Sequence, residues 1–190
     1  MKILVFASGR GSNARAIFQA IKNNTLKDVT VSALVSDIAD APALNIAKQY
    51  DIDAVFLDPL RKGARFTEES ENNYIDFVKK HNPELIVLAG FMRILPEKFV
   101  SKFGSKTINL HPSILPAYKG KDAIKRAFEA KEKQCGCTVH WVSNELDSGT
   151  IIAQSKVDIY ESDTLESLES KVHSAEHKLL VSVIADFAKK

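Results

Sequence analysis

The segment INLHPSILPAYKG, residues 108–120, places an amide and an imidazole two positions apart, at Asn109 and His111. On a strand, side chains two positions apart point to the same side, so both groups can reach one atom. An amide donor and a protonated imidazole can together stabilise a developing oxyanion, and the imidazole can also carry a proton. We therefore interpret Asn109 and His111 as candidate catalytic residues. The alternative is a structural histidine with satisfied hydrogen bonds.

A third candidate, Asp147, lies in the segment NELDSGT, residues 144–150. If its carboxylate contacts His111, the negative charge favours the protonated imidazole. An aspartate followed by a serine and a glycine is also typical of an ordinary turn, in which the carboxylate caps backbone groups. The sequence leaves both interpretations open.

The turn SGRGSN follows the first apolar run of the chain. Gly9 and Gly11 permit close approach to the backbone, and Ser12 or Asn13 can cap the helix that comes next. Free N–H groups at the start of a helix favour phosphate. One alternative is a tight turn without a ligand. Another is a dinucleotide site in which Asp37 binds ribose, although the third glycine of that motif and a Walker lysine are both missing.

Two further segments have a chemical interpretation. GFMRILP, residues 90–96, follows the fourth apolar run and predicts an apolar wall that could bind a flat heterocycle, the alternative being ordinary core. HSAEH, residues 173–177, matches the pattern of inverted zinc peptidases. A catalytic zinc needs a third protein ligand, and Asp186 is the only carboxylate that follows. We therefore predict surface histidines on a helix and no metal.

Composition and charge exclude several classes of protein. The 190 residues are 45% apolar and 26% charged, which is typical of a soluble globular protein and fits one domain, residues 1–190. With 26 basic and 24 acidic side chains, the net charge of +2 indicates no surface for nucleic acid. No apolar run approaches the roughly 20 residues of a membrane helix, and the first is too short for a signal peptide. We expect a cytoplasmic protein with no membrane partner.

The alternation of apolar runs and helical patterns predicts βαβ units around a parallel sheet. The second half of the chain adds two strands joined as an antiparallel pair. The fold class is therefore α/β, a doubly wound, mostly parallel sheet of about seven strands. The predicted strands are residues 2–7, 29–36, 52–57, 84–89, 107–110, 135–142 and 150–159, and the predicted helices are residues 13–22, 41–50, 67–80, 121–130 and 164–187. Residues 61–65 read as a surface loop, and Cys135 and Cys137 as small packing residues.

Five segments, in this order along the chain, resemble the phosphoribosylglycinamide formyltransferase family of folate-dependent enzymes: ILVFASGRGSN, LAGFMRILP, INLHPSILPAYKG, CTVHWV and LDSGTII. The resemblance spans essentially the whole chain and implies a Rossmann-like formyltransferase fold. It also implies transfer of a formyl group from 10-formyltetrahydrofolate, as a co-substrate, to the amine of 5'-phosphoribosylglycinamide in purine biosynthesis. The implied partners are small-molecule substrates, and no metal is required. The sequence does not predict the oligomeric state.

The resemblance implies a role for several side chains. Asn109 and His111 would act on the formyl oxygen, with Asp147 tuning the histidine. The residues implied for the ribonucleotide are Gly11, Ser12, Asn13, Ala14, Arg15 and Glu176, the last beside the substrate amine. The residues implied for the folate are Arg65, Met92, Arg93, Ile94, Leu95 and Asn109.

Three alternatives remain at this level. A transfer-RNA formyltransferase would carry an additional C-terminal domain, for which 190 residues leave no room. A 10-formyltetrahydrofolate hydrolase would use the same site with water as the nucleophile, usually behind a regulatory domain. A non-catalytic phosphate- or dinucleotide-binding module would need the glycine turn but not Asn109, His111 or Asp147.

Overall fold

Seven strands form one sheet in the computed structural model, which describes residues 1–189. The strands are β1 (Lys2–Phe6), β2 (Thr30–Ser36), β3 (Ala54–Phe56), β4 (Leu85–Leu88), β5 (Thr107–His111), β6 (Gln134–Trp141) and β7 (Ile151–Asp158). Their order in the sheet is β3-β2-β1-β4-β5-β6-β7. The first five strands are parallel, and β6 and β7 are antiparallel to their neighbours. The predicted α/β fold with a mostly parallel sheet is confirmed.

Helices cover both faces of the sheet, as the continuously apolar strands predict. The helices are α1 (Ser12–Lys22), α2 (Pro42–Gln49), α3 (Glu68–His81), α4 (Glu97–Phe103), α5 (Ala123–Glu129) and α6 (Leu165–Ala188). One face of the sheet packs against α1, α2 and α6, and the other packs against α3 and α4. Both cores consist of fully buried aliphatic and aromatic side chains.

The sequence patterns missed one helix. The helix α4 and the short 3-10 turn that follows it, Gly104–Lys106, lie between the fourth and fifth strands. This helix has seven residues and begins directly after Pro96. Its two buried aromatic side chains, Phe99 and Phe103, are four positions apart, which is one helical turn. A segment this short contains too few periods to be distinguished from an irregular connection.

The helices differ in how their first turns are capped. Thr67 caps α3 and Thr164 caps α6, each with a serine three positions later that completes a capping box. At α1 we expected Ser12 or Asn13 as the cap, and this was wrong. The N-cap residue is Gly11, which has φ 73° and makes no side-chain cap.

The carboxyl ends of β1, β4 and β5 lie side by side. The strands are neighbours in the sheet, and Leu88 in β4 pairs with Asn109 in β5. The loops that follow them are joined by hydrogen bonds, from the Ser8 N–H to the Gly90 carbonyl (3.0 Å) and from the Met92 N–H to Ser8 Oγ (2.8 Å). The glycine turn, the GFMRILP segment and the Asn109–His111 pair therefore share one edge, where open parallel sheets bind ligands.

Two other predictions concern the rest of the chain. Cys135 and Cys137 are both buried, and burial raises the thiol pKa values to about 11 and about 12, respectively. This agrees with their interpretation as packing residues. Within residues 1–189, none of the helices combines the length and the apolar character that crossing a membrane requires.

Candidate active site

His111 and Asp147 are in contact at the sheet edge. Strand β5 ends at His111, and the loop between β6 and β7 brings Asp147 Oδ2 to 3.3 Å from His111 Nδ1. Both side chains are more than nine-tenths buried. The same Asp147 oxygen accepts a hydrogen bond from the Gly120 N–H (2.8 Å). The carboxylate therefore contacts the histidine and also fixes the loop that follows the strand.

The second ring nitrogen of His111 also faces an oxygen. Nε2 lies 2.9 Å from the backbone carbonyl of Tyr118. A carbonyl can only accept a hydrogen bond, so Nε2 carries a proton in this arrangement, while Nδ1 faces the Asp147 carboxylate at 3.3 Å. The Nε2–H group is therefore a donor that could be offered to a developing negative charge.

Asn109 is held by a residue that the sequence analysis did not select, His140. The two residues are directly opposite each other in the β5–β6 ladder. His140 Nδ1 lies 2.8 Å from the Trp141 carbonyl and therefore carries the proton, which leaves Nε2 as an acceptor for Asn109 Nδ2 at 3.1 Å. Asn109 Nδ2 also donates to Asp147 Oδ1 (3.3 Å). Both hydrogens of the amide nitrogen therefore have an acceptor in this structure.

Asp147 remains ionised in these surroundings. Burial on its own would raise the pKa of the carboxyl group. The hydrogen bond from the Gly120 N–H and the charge of His111 act in the opposite direction, and the pKa of Asp147 lies below its ordinary value. The carboxylate is thus a permanent negative charge beside His111 at neutral pH.

A cavity of about 450 Å³ opens beside these residues. Asn109, His111, His140 and Asp147 line it. A second part of its wall contains Met92, Arg93, Ile94 and Leu95, together with Leu88, Gly90 and Phe91. Met92 and Ile94 are among the exposed large apolar side chains of the protein, at 62% and 41%. This wall is therefore an apolar surface open to a ligand, and only part of the segment is ordinary core.

Two predicted folate residues are placed differently from the rest. The guanidinium of Arg93 is turned toward the loop of residues 61–65 and the buried Asp37. Arg65 is exposed on that loop and is not among the residues that line the cavity, whereas its neighbour Ala64 is. Asp37, which could have bound ribose in a dinucleotide site, forms an ion pair with Arg93 at 2.7 Å.

The glycine turn presents the start of α1. The first helical hydrogen bond runs from the Arg15 N–H to the Gly11 carbonyl, so the N–H groups of the preceding three residues have no acceptor within the helix. Ala14 is fully buried, backbone included, so the structure does not place this predicted ribonucleotide residue on a surface that a ligand could contact. Ser12 and Arg15 line a separate open groove of about 500 Å³ with Arg10 and Tyr50.

Glu176 extends from α6 to this turn. The residue is 4% exposed, and its Oε2 accepts a hydrogen bond from Asn13 Nδ2 (3.3 Å) and contacts His173 Nδ1 (2.8 Å). The hydrogen bond to Glu176 raises the pKa of His173. The HSAEH motif therefore forms an internal ion pair, and among residues 1–189 no group of three potential ligands is arranged to hold a metal.

His140 could have been found from the sequence. Strand β6 pairs with β5 in antiparallel register, and alternation places its side chain on the same face as Asn109. To select His140 from the sequence, one would have needed to know that β6 pairs with β5. The contacts of Tyr118 and Gly120 were not predictable in this way, because they use backbone groups of an irregular loop.

Comparison with known proteins assigns the family. Residues 1–184 match the model of the formyl transferase family. A phosphoribosylglycinamide formyltransferase of Bacillus subtilis is 40% identical over 96% of this chain and 92% of its own length. Its counterpart in Escherichia coli is 38% identical over 99% of this chain and 87% of its own. The crystal structure of a phosphoribosylglycinamide formyltransferase from Bacillus halodurans superposes with a TM-score of 0.92 at 34% identity, covering 100% of this chain and 96% of that one. With the site at the expected edge of the sheet, these matches show that the chain belongs to the formyl transferase family.

Proposed function

We propose that the protein transfers a formyl group from 10-formyltetrahydrofolate to the amine of 5'-phosphoribosylglycinamide. The products are N-formylglycinamide ribonucleotide and tetrahydrofolate. The observation that carries the proposal is the contact of Asn109, His111 and Asp147 at the mouth of an apolar cavity. The relatives named above, which are similar over nearly the whole chain, support the choice of substrates.

The cavity suits the pterin end of the folate. Its volume of about 450 Å³ is within the range of small-molecule sites, and its wall at residues 90–95 is largely apolar. A flat ring placed against this wall would put the formyl group near Asn109 and His111. Backbone groups of the wall can recognise the edge of the ring by hydrogen bonds.

In the proposed reaction, the substrate amine attacks the formyl carbon and a tetrahedral oxyanion forms. The His111 imidazolium and the Asn109 amide stabilise the negative charge, with Asp147 as the counter-charge of the imidazolium. The intermediate then collapses, the bond between the formyl carbon and N10 of the folate breaks, and a proton passes from the attacking nitrogen to N10. Neither oxidation nor reduction takes place, so the step needs no redox cofactor.

Both donors must be released before they can act. His111 Nε2 has to leave the Tyr118 carbonyl, and Asn109 Nδ2 has to give up one of its two acceptors. The longer contact, to Asp147 at 3.3 Å, is the weaker of the two and is expected to be exchanged for the formyl oxygen. Tyr118 would lose its contact with His111, and Gly120 is hydrogen-bonded to Asp147. Substrate binding would therefore rearrange residues 118–120.

The glycine turn and Glu176 suit the ribonucleotide. Free N–H groups at the start of α1 favour a phosphate. Glu176 is a buried acceptor beside this turn, and Asn13 Oδ1 is buried without a partner among residues 1–189. A hydroxyl or an amine of the substrate can donate to both oxygens, which would satisfy the unpartnered one.

The test is a formyl-transfer assay with purified protein, 10-formyltetrahydrofolate and 5'-phosphoribosylglycinamide. We expect tetrahydrofolate and formylated ribonucleotide to appear in equal amounts, and no reaction when the ribonucleotide is omitted. Release of formate in the absence of an amine would instead indicate a hydrolase. The absence of transfer to the ribonucleotide, together with transfer to another amine, would contradict the proposed substrate.

A further inference from the structure

Arg93 lies in the wall of the folate cavity, but its guanidinium is engaged elsewhere. Nε donates to Asp37 Oδ2 at 2.7 Å, and the arginine side chain is 11% exposed. Nη1 faces three backbone carbonyls of the 61–65 loop: Arg61 at 2.8 Å, Arg65 at 3.4 Å, and Gly63. Two of its three guanidinium nitrogens, Nε and Nη1, therefore already donate within the protein.

The 61–65 loop has little else to hold it. It contains no helix or strand, and Gly63 has φ 88°. Besides the carbonyls bound by Arg93, the carbonyl of Ala64 accepts a hydrogen bond from the Ile94 N–H at 2.8 Å. All of these carbonyls thus point to residues 93 and 94 of the cavity wall. The hydrogen bonds from Arg93 give these carbonyls the partners that they would otherwise find within a helix or a strand.

Asp37 fixes the guanidinium from the other side. It follows β2 directly, is 6% exposed, and has one carboxylate oxygen, Oδ1, that is buried without a partner among residues 1–189. A buried carboxylate is stabilised mainly by the cation beside it, and it would be left unpaired if that cation were removed. The ion pair therefore sets the direction in which Arg93 presents Nη1 to the loop.

We propose that Arg93 is a positioning residue, whose guanidinium, held by Asp37, fixes the 61–65 loop at the rim of the folate cavity. This inference deepens the proposed function, on which its kinetic part rests. The loop places Ala64 in the cavity lining and carries three exposed cationic side chains, Arg61, Lys62 and Arg65. Folate ends in a glutamate with two carboxylates, so a fixed cationic rim favours binding of that end of the molecule.

The first experiment uses the protein without substrates. Trypsin cleaves after arginine and lysine, and cleavage requires a segment that opens locally. In Arg93→Met we expect cleavage after Arg61, Lys62 or Arg65 to be roughly tenfold faster or more, since hydrogen bonds to a charged donor are lost. Amide exchange at Ile94 should also become faster, because its acceptor lies in the loop.

The second experiment is kinetic. Arg93→Met should raise KM for 10-formyltetrahydrofolate by roughly tenfold, while KM for the ribonucleotide changes less than about twofold. Arg93→Lys should be intermediate in the trypsin and kinetic experiments, because lysine keeps the charge but lacks the planar fork of donors. Lys106→Met is a matched control, since Lys106 Nζ donates to the Pro83 carbonyl (2.7 Å) away from the cavity.

A double variant controls for the possibility that Arg93→Met misfolds because it leaves Asp37 buried without its cation. Asp37→Asn combined with Arg93→Met removes the loop contact without leaving a charge buried alone. It should show the same fast cleavage of the loop in a folded protein.

A rise in the folate KM with unchanged cleavage and Ile94 exchange would overturn the proposal, because it would indicate direct contact of the arginine with folate. Unchanged cleavage and unchanged KM would overturn it as well. If the wild type transfers no formyl group, the proposed function fails, but cleavage and amide exchange still test the loop contact.

Discussion

Asn109 depends on its neighbours for its orientation. Its amide nitrogen donates to His140 and Asp147, and its strand holds the backbone in register with β6. Because His140 is itself fixed by the Trp141 carbonyl, the amide has one favoured orientation before any substrate binds. If only the longer contact, to Asp147, is exchanged for the formyl oxygen, the hydrogen bond to His140 keeps the amide in this orientation during the reaction.

We expect Asn109→Ala to lower kcat by roughly 10²–10³, the usual cost of removing one oxyanion donor. KM for the ribonucleotide should change much less than kcat, since the proposed role of Asn109 is to donate to the developing oxyanion and not to hold the ribonucleotide. Steady-state kinetics with each substrate varied in turn measures both values. Asn144→Ala, in the same cavity lining but without these contacts, is the control. A kcat within threefold of the wild type would contradict the oxyanion role of Asn109.

The helix α1 follows the glycine turn, and its start depends on one glycine. Gly11 has a positive φ of 73°, and a Cβ atom there would lie 2.8 Å from the Cα and Cβ atoms of Ala43 in α2. A side chain at this position would strain the backbone and also push α1 and α2 apart. At Gly9, two positions earlier, a Cβ atom would meet nothing within 4 Å.

Gly11→Ala should therefore reduce the free energy of unfolding by about 1–3 kcal/mol or more, the usual cost of a strained backbone conformation. Urea unfolding measures this value, and KM for the ribonucleotide should rise because the free N–H groups move. Gly9→Ala is the matched control for stability and should leave the free energy of unfolding nearly unchanged, since a Cβ atom there meets no other atom within 4 Å. If the two substitutions lower the free energy of unfolding equally, the packing of α1 against α2 is not the cause of the lost stability.

Several elements were predictable because each follows from a local pattern. The apolar runs predict β1 and β4, and the Thr-x-x-Ser caps coincide with the starts of α3 and α6. Strand alternation likewise places Asn109 and His111 on one face. The direction of the Arg93 side chain could not be predicted, because its partners come from segments about 30 and 56 positions away in the chain. The helix α4 was missed because its pattern spans less than two turns.

At the scale of the whole molecule, the ion pair of His173 and Glu176 links stability to pH. The hydrogen bond to Glu176 raises the pKa of His173 above its ordinary value of 6.5, and Glu169 acts in the same direction. Burial and the charge of Arg10 oppose the rise. His177, the other titratable group nearby, has a lowered pKa because of burial and is neutral near pH 7.

A raised pKa stabilises the folded protein most where the histidine is protonated in both states, which is below 6.5. This contribution is lost as the pH rises through the pKa of the folded state. We therefore expect the stability difference between the wild type and His173→Gln to be larger at about pH 5.5 than at about pH 8.5. Urea unfolding at a series of pH values measures it. A difference that does not change with pH would show that the pair contributes only packing.

Ligand binding should also stabilise the whole fold. A folate analogue at about 100 times its Kd should add about 2.7 kcal/mol by mass action, which corresponds to a Tm increase of roughly 5–10 °C for a protein of this size. Thermal unfolding with a folate, with NAD and with NADP compares the two classes of ligand. An increase with a dinucleotide but not with the folate would favour the dinucleotide interpretation of the glycine turn.

The contact between Asn13 and Glu176 has a consequence for synthesis of the chain on the ribosome. The two residues are 163 positions apart, and the apolar face of α6, with Leu180, Val183 and Ile184, belongs to the same core as α1. A nascent chain that has been translated only as far as β7 has the glycine turn but lacks its buried carboxylate and the helix that covers α1. The proposed ribonucleotide site therefore cannot be completed during translation until α6 has emerged, so binding of this substrate would report that the last helix has docked.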